Sequence, residues 1–236
     1  MDLWFGDSWT IGEELGQHTD TFDLNIFPHV VVGRDNPINA FPTFVSKYRK
    51  QPFINFAKSA SSIEFSLHEL IKFCTSRRDP SEKYTAFLCL TAQIRGFGID
   101  YLTNKHLHYF NNFRKSVAET AIYDSIIAIN SFYSICKMYD IECIIIPIFC
   151  DLIIPKELEY LILFSDSLLL DKSLVEFTFG KPLIESRIYE SGETENNLYR
   201  RFSLEDWIYP MEMHPNLHGH KKLAYSLIQI LENKNT

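Results

Sequence analysis

The sequence predicts an α/β fold: a mainly parallel sheet of about five strands, covered by helices on both faces. Three observations lead there. Apolar runs of strand length recur along the 236-residue chain, and segments of helical period separate them. The runs stay apolar at successive positions, as strands buried on both faces require. Parallel strands need crossover connections, and the helices that supply them cover the sheet.

Residues 2 to 6 (DLWFG) read as a short first strand, followed by PFINFA (52–57), YTAFLCLT (84–91) and ECIIIPIF (142–149), with SDSLLL (165–170) as a fifth. Ile63, Leu67, Leu70, Ile71 and Cys74 follow the i, i+4, i+7, i+8 spacing of a helix. Ala118, Ile122, Ile126, Ile129, Tyr133 and Cys136 mark a second helix. Leu223, Ala224, Leu227, Ile228 and Leu231 make the last segment an amphipathic helix of roughly three to four turns, expected to pack beside the first strand's layer. Stretches near 16–40, 95–112 and 180–213 fall outside the alternation and read as long loops, which in a compact domain are usually functional or disordered. The tract ESGETENN (190–197) reads as solvated. No repeat or linker divides the chain, so 1–236 reads as one domain.

A 46% hydrophobic, 14% aromatic composition supplies a core. A formal charge of −7 gives no electrostatic footprint for nucleic acid or an anionic membrane, and KYRK (47–50) and TSRRD (75–79) are too short to provide one. Cys74, Cys89, Cys136, Cys143 and Cys150 are odd in number and sit mostly in apolar runs, which predicts buried free thiols. The opening MDLWFGDS lacks the basic and apolar regions of a signal peptide, and no apolar run is long enough to span a bilayer. The expectation is a soluble protein, cytoplasmic where it is synthesised.

Chemistry concentrates at the two ends. In a doubly wound sheet, ligands bind outside the carboxyl ends of the strands. Ser8 of Gly6-Asp7-Ser8 stands there, directly after the first strand. A serine hydroxyl becomes a nucleophile when a base takes its proton. His214 has the context for that base: in MHPNLHGHKKLA (213–224), Pro215 and Asn216 make a turn just before the closing helix.

The pair GDS and HPNLHGHKKLA, in this order and near opposite ends, resembles the SGNH (GDSL) hydrolase family. The resemblance implies a three-layer α/β/α sandwich, flavodoxin-like in its sheet, and the activity of esterases, lipases and carbohydrate deacetylases. By it, Ser8 is the nucleophile and His214 the general base, later the acid that protonates the leaving alcohol. Catalysis runs through an acyl-serine, needs no cofactor, and takes a small acyl ester or an acylated carbohydrate. The longer form GDSWTIGEEL (6–15) also resembles the opening of SGNH-like proteins of bacteriophage genomes. An alternative, motivated by Met211, Ala60 and a missing asparagine motif, is a weak or inactive SGNH-like binding or structural module, virion-associated, with phage structural proteins or further copies of itself as partners.

The family stabilises the oxyanion with the N–H of the nucleophile, a glycine N–H after the second strand and an asparagine amide after the third. Here the matching positions are Ser8, Ala60 in NFAKSASSIEF and Gln93 in LTAQIRGFG, with Arg95 as a second cationic candidate for the oxyanion or a substrate contact. Three positions before the histidine, where the family has an orienting aspartate, stands Met211. Glu212, Glu205 or Asp206 is left to supply the acid, or a backbone carbonyl holds the imidazole in a Ser-His dyad.

Structural readings compete with each of these. Asp7 and Ser8 also suit a helix N-cap, and His214 a helix-entry hydrogen bond. His106, His108, His218 and His220 form two H-x-H pairs, but without carboxylate or thiolate partners at suitable spacing no metal site is expected. Glu13 and Glu14 suit a solvated helix face. The aromatic segment from Phe97 to Phe113 suits sugar stacking, an acyl pocket, a lid or a subunit interface. A nucleotide binder is disfavoured because no Gly-rich phosphate loop follows any strand.

Overall fold

The computed structural model describes residues 1–12, 39–58, 61–90, 95–100, 105–110, 115–148, 152, 154, 156–180 and 215–234. Side chains are described in these except at Ser8, 95–100, 105–110 and 115–121. In chain order the elements are β1 (Asp2–Phe5), α1 (Ser8–Ile11), α2 (Phe41–Tyr48), β2 (Phe53–Asn55), α3 (Ile63–Ser76), β3 (Tyr84–Leu90), β4 (Arg95–Asp100) and β5 (Lys105–Phe110). Then come α4 (Lys115–Met138), β6 (Ile141–Pro147), two short 3-10 turns (Lys156–Leu161 and Ser165–Ser167), α5 (Leu174–Phe179) and α6 (Leu217–Lys234).

Four strands form a parallel sheet in the order β2-β1-β3-β6. Because side chains alternate across a strand, each buried strand feeds two cores. Leu3 and Phe5, Ala86 and Leu88, and Cys143 and Ile145 join Leu70, Phe73, Ile129 and Phe132 of α3 and α4 on one face. Trp4, Phe87, Ile144 and Ile146 join Phe41 and Val45 of α2, Leu174 of α5 and Leu223 and Leu227 of α6 on the other. The result is the expected three-layer arrangement, with the closing helix in the layer against Trp4. The Trp4 indole stacks on the Phe87 ring (centroids 4.1 Å apart, 8° between planes) and takes the Phe41 edge at 5.9 Å.

Helix ends follow their sequence. Ser62 caps α3 by accepting from the Phe65 N–H, and Ser173 caps α5 from the Glu176 N–H. Gly180 ends α5 at φ +77°, a left-handed conformation that suits glycine.

Two expectations are corrected. The run 165–170 is not a fifth strand: Ser165–Ser167 wind into a 3-10 turn, and only Leu168 bridges to Ile145, with the Leu169 N–H donating to the Ile145 carbonyl at 2.9 Å. Short polar residues favour such turns over a ladder. The stretch 95–112 is not simply a loop, because β4 and β5 pair antiparallel there, Phe97 opposite His108 and Ile99 opposite His106. Of the other two expected loops, 16–38 and 181–213 lie outside the described residues, and Asn39 and Ala40 lead directly into α2. No helix among the described residues is long and apolar enough to cross a membrane.

Candidate active site

The order β2-β1-β3-β6 reverses between β1 and β3: the chain leaves β1 toward β2, then returns to the far side of β1 as β3. Open α/β sheets bind ligands at this reversal, outside the carboxyl ends of the two strands. Phe5 and Leu88 are the last paired residues of that seam. Gly6, Asp7 and α1, whose first residue is Ser8, follow immediately.

The turn that presents Ser8 is tightly built. Asp7 is buried and caps α1, its Oδ1 accepting from the Trp9 N–H at 3.1 Å, while its carbonyl accepts from the Ile11 N–H at 3.0 Å. The cap therefore belongs to Asp7, and Ser8 is the first helical residue. Gly6 is required by close approach: a Cβ there would lie 2.2 Å from Thr10 Oγ1 and 2.9 Å from Cys89 Cβ. The Asn55 amide at the end of β2 donates to the Thr10 carbonyl at 2.7 Å, fixing the far end of α1.

The connection after β2 is pinned to the same turn. The Lys58 N–H and the Ser61 hydroxyl both donate to the Gly6 carbonyl, at 3.2 and 2.6 Å. These residues flank 59–60, so both sides of the oxyanion candidate Ala60 are tied to the backbone that carries Ser8. Sequence reading missed Asn55 and Ser61. The signal was a small polar side chain just past an edge strand, which is too common to single out.

The opposite side of the crevice is set by α2 and α6. Both run against the strand direction: Arg49, after the last residue of α2, reaches Asp2 at the start of β1, while Phe41 at its first turn meets Trp4. The amino ends of both helices meet at the carboxyl edge of the sheet, where His220 Nδ1 accepts the Phe41 N–H at 3.2 Å and the two rings stack at 6.1 Å. Asn216 caps α6, its side-chain oxygen accepting from the Gly219 N–H at 3.0 Å. The histidine of GHKKLA is thus a structural clamp that joins the amino ends of α2 and α6.

Of the candidates, the backbone of Ser8 and Arg95 is described, Arg95 as the first residue of β4. His214, Ala60, Gln93, Glu212, Glu205, Asp206 and Met211 lie outside the described residues. So do Glu13 and Glu14 and the thiol Cys150, whereas Cys74, Cys89, Cys136 and Cys143 are buried free thiols. Cys89 is the thiol beside the Ser8 turn. Burial pushes it up, and the Asp7 carboxylate adds to the effect, so it is held neutral and does not compete as a nucleophile. Glu64, in the first turn of α3, is pushed up mainly by burial, with the Ser62 hydroxyl opposing. Among the described residues no group of three or more His, Cys, Asp or Glu is arranged to hold a metal. A groove of about 410 Å³ between α2 and α6, lined by Phe44, Tyr48, Ala224, Tyr225 and Ile228 with two lysines, contains none of the candidate catalytic residues.

No family model matches the chain, and no curated protein matches it. Among solved structures it is similar to the psychrotrophic esterase EstA from Pseudoalteromonas sp., at 10% identity over 99% of this chain and 97% of that one, with a TM-score of 0.49. It is similar to a member of the lipolytic protein G-D-S-L family from Veillonella parvula DSM 2008, at 12% identity over 98% and 97%, TM-score 0.43. It is also similar to the acetyl xylan esterase Est2A from the rumen bacterium Butyrivibrio proteoclasticus, at 13% identity over 99% of this chain and 63% of that one, TM-score 0.48.

Proposed function

We propose that the chain is a serine ester hydrolase of the SGNH type, with Ser8 as nucleophile and His214 as general base. One observation carries the reading furthest: the Gly6-Asp7-Ser8 turn closes the interior strand β1 at the reversal of the sheet, where the helix entry that follows His214 is pinned by His220 and Phe41. A turn this constrained holds a nucleophile's backbone in one place, which positional catalysis needs.

In this reading His214 takes the Ser8 proton as Oγ attacks the acyl carbonyl. The tetrahedral oxyanion is held by the backbone N–H groups of Ser8 and Ala60 and by Gln93 or Arg95. Its collapse expels the alcohol, which leaves with the proton from His214, and water then hydrolyses the acyl-serine by the same base. With Met211 in place of an orienting aspartate, Glu212 or Asp206 serves, or a backbone carbonyl holds the ring. The substrate class is a small acyl ester, including an O-acetyl group on a carbohydrate.

Hydrolysis of p-nitrophenyl acetate tests this. Wild-type turnover should be lost in both Ser8→Ala and His214→Ala; a wild-type rate no higher than that of either variant would contradict the proposal.

A further inference from the structure

Asn39 stands two residues before α2. It is 6% exposed, and its side-chain Nδ2 has no hydrogen-bond partner among the described residues. A buried amide donor left unmade costs stability; of the seven buried side-chain polar atoms without a partner among the described residues, it is the amide one.

The position of α2 shows where that donor sits. Past its carboxyl end, Arg49 bonds Asp2 of β1 and Thr85 of β3, which face each other in register at the amino edge. Toward its amino end, Phe41 packs edge-on against Trp4, whose ring stacks on its register partner Phe87. Helix α2 therefore runs along the β1–β3 seam from one edge to the other. At about 1.5 Å per residue its eight residues rise roughly 12 Å, against about 10 Å for the three steps of β1. Asn39 is thereby carried to the carboxyl edge, at the level of the Gly6–Ser8 turn and over the reversal of the sheet. Its helix neighbours are already satisfied: the Phe41 N–H goes to His220, Pro42 has none, and the Thr43 N–H goes to the Ala40 carbonyl. The side-chain Nδ2 of Asn39, by contrast, has no partner among the described residues.

We infer that Asn39 is a substrate-binding residue whose amide N–H donates to an oxygen of the ester in the crevice that Ser8 borders. The inference rests on the esterase reading. A ligand oxygen completes the buried donor only when bound, so the amide discriminates between the occupied and the empty site.

The test compares wild type, Asn39→Leu, Asn39→Ala and Ser8→Ala for kcat/KM on p-nitrophenyl acetate and for Tm. Asn39→Leu keeps the branched shape of the side chain and deletes the donor. It should lower kcat/KM by tenfold or more while leaving Tm unchanged or raised, because a buried polar cost has been removed. Asn39→Ala should show the same loss of activity. Wild-type kcat/KM in both Asn39 variants, or a fall in Tm of Asn39→Leu without loss of kcat/KM, overturns the inference alone. A wild type no more active than Ser8→Ala overturns the esterase reading, and this inference with it.

Discussion

The two ends of the β1–β3 seam differ in how their polar groups are treated. At the amino edge, Asp2 is buried with its Oδ2 accepting from the Ser46 hydroxyl at 3.0 Å and from Arg49 Nε at 3.2 Å. Ser46 in turn accepts the Trp4 indole N–H, Arg49 reaches Thr85 Oγ1, and Thr85 donates to Glu142 at 2.8 Å. At the carboxyl edge, the same strands and the same helix end in a turn with no room for a methyl group at Gly6 and in an Asn39 amide without a partner. One end is closed by a polar network that fixes α2 on the sheet. The other is rigid in its backbone and leaves an amide donor, Asn39 Nδ2, unmade. The unpartnered atom at the amino edge, Asp2 Oδ1, belongs instead to a carboxylate whose other oxygen is twice bonded.

The contrast can be broken from either end. Gly6→Ala should have the largest effect, roughly 3 kcal/mol or more of destabilisation, because the added Cβ meets Thr10 Oγ1 and Cβ and Cys89 Cβ, atoms held close to the backbone rather than at the end of a flexible side chain. Urea unfolding measures it, and near-wild-type stability would show that the turn can open. Arg49→Met comes next, at about 3 kcal/mol, since it removes the guanidinium that lies over the Phe87 ring and leaves the Asp2 carboxylate buried without its cation. Kinetics on the folded fraction should stay near wild type, separating the amino edge from the proposed site at the carboxyl edge.

His220→Leu removes the acceptor of the Phe41 N–H while keeping an apolar side chain between α2 and α6. A loss of about 1–2 kcal/mol is expected, with a drop in esterase activity as the helix entry after His214 loosens. Unchanged activity would uncouple the clamp from the site. The smallest effect concerns pH. Burial raises the Asp2 carboxyl above its ordinary value, with Arg49 opposing. The folded chain therefore holds that proton more readily than the unfolded chain does, and this contribution is lost as pH rises through the folded value. Tm of wild type relative to Asp2→Asn should accordingly be more favourable near pH 4 than near pH 7; the opposite slope would mean that the Arg49 and Ser46 contacts outweigh burial.

Much of the sheet was legible because strands buried on both faces carry their signal locally: DLWF, YTAFLCL and IECIIIP are apolar almost throughout. Helix α2 was not legible. It is short, and it buries Thr43 and Ser46 on its sheet face, the latter to receive the Trp4 indole, so its apolar period is interrupted. The hairpin β4–β5 was masked by aromatic density, although Leu107 and Tyr109 alternate with His106 and His108 as a strand should. At the site, GDS and HPNLHGH could be read because each is contiguous. Within them the fold assigns what the sequence left open: of Asp7 and Ser8, Asp7 is the cap, and His220 clamps α2 to α6. Asn39 carried no signal, since what distinguishes it is a missing partner across the fold, which only the packing of α2 on the seam reveals.

The proposed function stands on Ser8 being an activated nucleophile whose base is His214. Incubation with a fluorophosphonate probe, followed by mapping of the modified peptide, tests it without knowledge of the natural substrate. A single adduct should form on Ser8 and fail to form in His214→Ala; an unmodified protein, or an adduct on another residue with Ser8 untouched, would rule out Ser8 as the activated nucleophile.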